Sequence, residues 1–162
     1  HQNQPTLRVL GVFLGGVDAD NYTALAIEAL ANIGSHDLHV DVVIGAQHPH
    51  REQIESACAD HDFAWHVQTN RMAELMASAD LAVGAAGVAS WERCCLGLPC
   101  IVGAVAQNEI QAAKDLSTLG AVKFIGVAQD ITMRGLVDGW AKIHLKRNIL
   151  PCLPMSIVRI AR

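Results

Sequence analysis

The 162-residue chain is 51% hydrophobic, 17% charged and 4% aromatic, which is enough apolar material for one full core and too much for a disordered polymer. A formal charge of -4, with Lys and Arg scattered and no basic run longer than Lys146-Arg147, excludes a nucleic-acid footprint. No stretch is apolar for the about 18 residues that a membrane span needs, and no basic-apolar-small leader opens the chain.

In chain order, short β-rich runs alternate with runs of helical periodicity. Residues 8–14 form a strand candidate ending at Gly15-Gly16; the helix of 21–33 follows, its stripe being Leu25, Ala26, Ala29, Leu30 and Ile33. Strand 39–44 leads through His48-Pro49-His50 into helix 51–60, and strand 64–67 into helix 70–78, with Met72, Leu75 and Met76 on one face. Strand 80–83, helix 90–96, strand 100–105 and helix 108–119 come next, then strand 122–125 and a helix over about 131–146. The tail from Leu150, with Pro151 and Pro154, follows no such rhythm.

Val- and Ile-rich strands separated by helices predict a parallel sheet covered on both faces. The expected fold class is therefore α/β: a Rossmann-like, doubly wound sheet of about six strands in a single domain, 1–162, with a core over about 8–146. Three Phe and one Tyr argue against an aromatic-rich sandwich or barrel. Five cysteines, at positions 58, 94, 95, 100 and 152, contain no C-x-x-C pair. That pattern disfavours a disulfide framework or thiolate zinc site and suits a reducing cytoplasm. The chain opens on His1-Gln2-Asn3-Gln4 without methionine, so part of a longer protein is expected.

In such a sheet, ligands sit beyond the carboxyl ends of the strands, which singles out the loops 15–21, 45–50, 84–90 and 106–108. Glycine at the start of three of them permits close approach of backbone to ligand, and the N–H groups of the following helices favour an anion. The sequences G-x-x-x-x-G-K-[ST] and G-x-G-x-x-G are both absent, and Gly45-Ala46-Gln47 stands where a dinucleotide fold places an acid; triphosphatases and dehydrogenases are disfavoured. The sharper signal is Gly84-Ala85-Ala86-Gly87-Val88-Ala89-Ser90-Trp91-Glu92. Here a glycine-bearing turn enters a helix whose first turn holds a hydroxyl and a carboxylate, a pairing suited to a diphosphate and an adjacent ribose.

The runs Met72 to Gly84 and Ser90-Trp91-Glu92-Arg93-Cys94-Cys95-Leu96-Gly97-Leu98-Pro99 resemble the UDP-sugar hydrolases of pseudaminic acid biosynthesis, MurG-like proteins of the glycosyltransferase-B superfamily. The loop Gly15-Gly16-Val17-Asp18-Ala19-Asp20-Asn21 is similar to that family's G-G-S-D-P-x-N, and the resemblance extends over about residues 8 to 126. It implies the carboxy-terminal, nucleotide-binding half of a glycosyltransferase-B fold, acting without a metal or other cofactor on a UDP-linked 2,4-diacetamido-2,4,6-trideoxy sugar and releasing UDP and free sugar. It also implies that the catalytic histidine belongs to an amino-terminal domain absent from this chain, which becomes the expected partner and leaves the chain inactive alone. The alternatives are a MurG-like transferase and a non-catalytic nucleotide-sugar-binding module.

By the same resemblance, Glu92 binds the ribose, and Gly87, Val88, Ala89 and Ser90 bind the diphosphate. Gly15, Gly16 and Asn108 line the sugar-phosphate side, with further contacts expected at Asp18, Asn21 and His50. Where the family has G-A-G-G-S-T-T-W-E, this chain keeps one hydroxyl of three; each lost hydrogen bond costs about 0.5–1.5 kcal/mol. Several of these residues have plainer readings. Asp18-Ala19-Asp20 spells a metal-binding D-x-D, but a helix cap from Asp20 or Asn21 is favoured. His48, His50 and His66 are expected to be solvated rather than metal ligands. Cys94 and Cys95 are expected to pack rather than react, Trp91 to pack inward or stack on a base, and Arg93 and Glu92 also fit ordinary helix charges.

Overall fold

The computed structural model describes residues 7–12, 18, 20–33, 38–85, 100–104, 109–118, 122–127 and 135. The strands are β1 (Leu7–Val12), β2 (Leu38–Ile44), β3 (Ala64–Val67), β4 (Leu81–Ala85), β5 (Cys100–Ala104) and β6 (Val122–Val127). Between them lie α1 (Tyr22–Ile33), α2 (Arg51–Asp60), α3 (Met72–Ser78) and α4 (Glu109–Thr118). The six strands form one parallel sheet in the order β3-β2-β1-β4-β5-β6. This is the doubly wound α/β arrangement expected from the alternation of strands and helices.

The pleat explains why β1, β4, β5 and the second half of β2 are mostly apolar: both faces of the sheet there meet a helical layer. Val9, Val40, Val42, Ile44, Leu81, Val83 and Ile101 pack with Ala26, Ile27, Ala29 and Leu30 of α1 and with Ile54 and Cys58 of α2. On the opposite face, Leu10, Val12, Val43, Ala82, Cys100 and Val102 pack with Leu75 of α3 and Ala113 of α4. A fully buried aliphatic side chain contributes about 1.5–3 kcal/mol, so these two layers hold the sheet.

Helix α2 and strand β3 match the sequence expectation end to end. Elsewhere the bounds differ by one or two residues. The buried stripe of α1 is Thr23, Ala26, Ile27, Ala29 and Leu30, with Leu25 and Ile33 only partly buried. The stripe is therefore turned relative to expectation. Positions 23, 26, 27 and 30 follow the i, i+3, i+4, i+7 spacing, and Thr23 is drawn inward by a polar partner described below. Helix α3 places Leu75 in the core with Met72 and Met76 beside it, as expected. The helix expected at 90–96 and the tail from 150 lie outside the described residues, as does the helix expected over 131–146 save for position 135.

Burial holds the Cys58 thiol up, to about 11. Among the described residues no helix is long and apolar enough to cross a membrane.

Candidate functional site

The strand order sets where a ligand can enter. From β1 the chain builds outward through β2 and β3, then returns to the other side of β1 with β4. The carboxyl ends of β1 and β4 are neighbours, with Val12 paired to Gly84. Connections from those two strands leave in opposite directions, which opens the crevice where ligands of such sheets bind. The two loops that the sequence marked most strongly, 15–21 and 84–92, follow these two strands. Gly15, Gly16, Gly87, Val88, Ala89, Ser90, Glu92 and Asn108 themselves lie outside the described residues, as do Trp91, Arg93, Cys94 and Cys95.

Asp18, Asn21 and His50 are described. Asp18 and Asn21 have φ of 50° and 57°, in the left-handed region that Asp and Asn enter more readily than other non-glycine residues. The Asp18 carboxylate is almost wholly buried, and four donors meet it. Tyr22 N–H donates to Oδ1 at 2.8 Å; Thr23 N–H, the Thr23 hydroxyl and His48 Nε2 reach Oδ2 at 3.1, 2.6 and 2.9 Å. Oδ2 thus meets three donors and Oδ1 one, so most of the carboxylate's accepting capacity is met within the protein.

Asp18 therefore caps α1 from outside the helix, which also explains the inward turn of Thr23. Asn21 Oδ1 accepts from Ala24 N–H at a longer 3.4 Å, while Asp20 is exposed; the cap expected from Asp20 or Asn21 is supplied mainly by Asp18. Burial first, then the charges of Asp20 and Asp18, raise the Tyr22 phenol above its ordinary value. The first N–H groups of α1 are thus occupied, and an anion expected at this helix start would have to displace Asp18.

His48 departs from expectation. Its side chain is 3% exposed and that of Asp18 2%, so it is a core residue rather than a solvated one. The sequence signal was faint, because the buried contact joins positions thirty apart. His48 Nδ1 accepts the backbone N–H of His50 at 3.1 Å. A ring nitrogen that accepts carries no proton, so the hydrogen-bond pattern assigns the proton to Nε2, the atom facing Asp18. The His50 ring lies edge-on to His48 at 6.0 Å and is half-buried. A shallow depression of ≈ 470 Å³ opens there, lined by His48 to Gln53, where α2 begins without a side-chain cap. Asn21 Nδ2 donates to Gln53 Oε1 at 3.4 Å, an exposed link from the β1–α1 loop to the first turn of α2.

A second histidine–carboxylate group was not foreseen. Asp41 of β2 meets His39 Nε2 at 3.2 Å and His66 Nε2 at 2.9 Å, on the sheet face shared with Val43. The period-two alternation of His39 and Asp41 in β2 was its only sequence trace. His66 is thus half-buried and partnered rather than solvated. Among the described residues no set of three or more His, Cys, Asp or Glu side chains is placed to hold a metal ion.

No family model matches the sequence. Over 148 residues the chain is 28% identical to the spore coat polysaccharide biosynthesis protein SpsG of Bacillus subtilis, covering 90% of this chain and 42% of that protein. Among solved structures, MurG of Acinetobacter baumannii superposes with a TM-score of 0.65 at 22% identity, over 88% of this chain and 42% of that one. The spinosyn rhamnosyltransferase SpnG, complexed with thymidine diphosphate, superposes with a TM-score of 0.67 at 14% identity, over 89% of this chain and 38% of that one. The fold is that of one glycosyltransferase-B half. The chain spans less than half the length of the curated relatives it matches.

Proposed function

We propose that this chain is the nucleotide-binding half of an enzyme acting on a UDP-sugar, and that the whole enzyme hydrolyses it to UDP and free sugar. The observation that supports this reading is the reversal of strand order between β1 and β4, which sets the carboxyl ends of the two strands that precede the glycine-bearing segments side by side. The resemblance to the hydrolases of pseudaminic acid biosynthesis supports the choice of substrate, and the similarity to SpsG supports a role in making a polysaccharide. The turn from Gly87 to Ser90 holds the diphosphate through backbone N–H groups, Glu92 accepts the ribose hydroxyls, and Gly15, Gly16 and Asn108 stand on the sugar-phosphate side. Water displaces UDP from the sugar, and a base in the missing amino-terminal half takes its proton. Asp18 is structural in this scheme, its buried carboxylate being bonded to four donors of the protein itself.

A transferase reading is favoured by the superposition on MurG and SpnG, in which an acceptor hydroxyl replaces the water. Product analysis of the whole enzyme, with and without acceptors, separates the two. Calorimetry of the chain with UDP, UDP-N-acetylglucosamine and NAD tests what they share: binding of the two uridine compounds and not of NAD is expected. Absence of UDP binding at millimolar concentration contradicts the reading. Glu92→Ala should weaken UDP by about 1.5–3 kcal/mol, the contribution of hydrogen bonds to a charged group; unchanged affinity would make Glu92 a helix-end charge only.

A further inference from the structure

The loop after β1 and the loop after β2 stand at the same edge of the sheet, and one buried imidazole joins them. His48 Nε2 donates to Asp18, which fixes the start of α1, and Nδ1 accepts the backbone N–H of His50, which fixes the start of α2. Only one tautomer serves both contacts, since a proton on Nδ1 would face the His50 N–H. Each contact therefore sets the ring orientation that the other needs. The exposed Asn21–Gln53 contact is long and solvated and contributes little to this coupling.

We propose that His48 is a positioning residue for the ligand crevice: held as the Nε2–H tautomer, it locks the β1–α1 loop to the β2–α2 loop and aims the His50 side chain along the rim. The inference rests on the proposed binding of a nucleoside diphosphate. His48 touches no ligand in this scheme and acts through Asp18 and His50. A loop whose buried anchor is removed loses the geometry that binding requires, even where the core stays intact.

The test separates the two arms. His48→Gln places an amide N–H near the Nε2 position, keeping the Asp18 contact and losing the acceptor for His50. His48→Asn places a carbonyl oxygen near Nδ1, keeping the His50 contact and losing the Asp18 donor. Both variants and the native chain are titrated with UDP by calorimetry, with thermal unfolding recorded alongside and Glu74→Ala, an exposed residue of α3, as control. Each His48 variant is expected to bind UDP roughly tenfold or more weakly while still unfolding cooperatively, the fold-change of one lost charge-assisted or buried hydrogen bond. Glu74→Ala should bind as the native chain does.

The nitrogen NMR spectrum of the native protein's histidines, recorded at neutral pH without ligand, gives a second readout. Among its histidine signals the native protein should show one with a protonated Nε2 and a bare Nδ1 that vanishes in both His48 variants, which assigns it to His48. A protonated Nδ1 on His48 overturns the inference even if neither variant folds. So do folded variants whose UDP affinity is native, for then the imidazole only fills space. A native chain that fails to bind UDP overturns the proposed function instead, and the tautomer then decides whether His48 still couples the loops.

Discussion

Among the described residues two histidine–carboxylate groups stand on or beside the sheet, and they differ chiefly in water. Asp18 and His48 are almost fully enclosed, with side-chain exposures of 2% and 3%, whereas Asp41 is 15%, His66 23% and His39 44% exposed. Around Asp18 four protein donors meet one buried carboxylate, so little is left for water to satisfy. On the β2–β3 face, solvent can replace whatever a substitution removes. The same side-chain chemistry is thus a structural keystone in one place and an adjustable surface contact in the other.

Asp18→Ala should break this comparison most. It strands two backbone N–H groups, a hydroxyl and an imidazole, and a loss of about 3 kcal/mol or more is expected in denaturant unfolding. A loss below about 1 kcal/mol would mean that water enters the cluster. Asp41→Ala, the matching change on the open face, should cost no more than about 1 kcal/mol. Equal losses at the two sites would erase the distinction.

The buried thiol of α2 offers a pH-dependent check on the same enclosed layer. Cys58 titrates at about 11 in the folded protein against 9.0 ordinarily, because burial disfavours the thiolate. The stabilisation is therefore complete below pH 9.0 and is lost as pH rises through about 11. Tyr22, also raised, acts in the same direction. Unfolding curves between neutral and alkaline pH should show this decline, and native Cys58 should resist alkylation near pH 7 until the protein is unfolded. The smallest effect belongs to the exposed pairs Arg51–Glu55 and Arg71–Glu74, whose disruption should change stability by no more than about 0.5 kcal/mol.

These contrasts mark what local sequence can and cannot carry. Strand β3 and helix α2 were legible because a short apolar run and a 3.6-residue period are properties of neighbouring residues. The α1 stripe holds at Ala26, Ala29 and Leu30 but also takes in Thr23, which reads as polar until Asp18 is known to sit beneath it. His48 reads as a solvated loop residue, since nothing near Pro49 or His50 reveals a carboxylate thirty positions earlier. Gly15-Gly16 and Gly84 to Gly87 read as segments that permit close approach, but that the strands before them are neighbours follows only from β1 pairing with β4. Asp18 bears the sharpest lesson. Its D-x-D spacing fits a metal, but the favoured reading is a helix cap from Asp20 or Asn21, and the four donors put that cap on Asp18 instead.

The central claim is that a nucleoside diphosphate is gripped where the strand order reverses. A UDP titration followed through the backbone amide signals tests it most directly. The account predicts saturable shifts in the residues that follow β1 and β4, with Trp65, on the edge strand β3, unmoved. Shifts confined to β3 and the His39–Asp41–His66 face, or none at millimolar UDP, would contradict it.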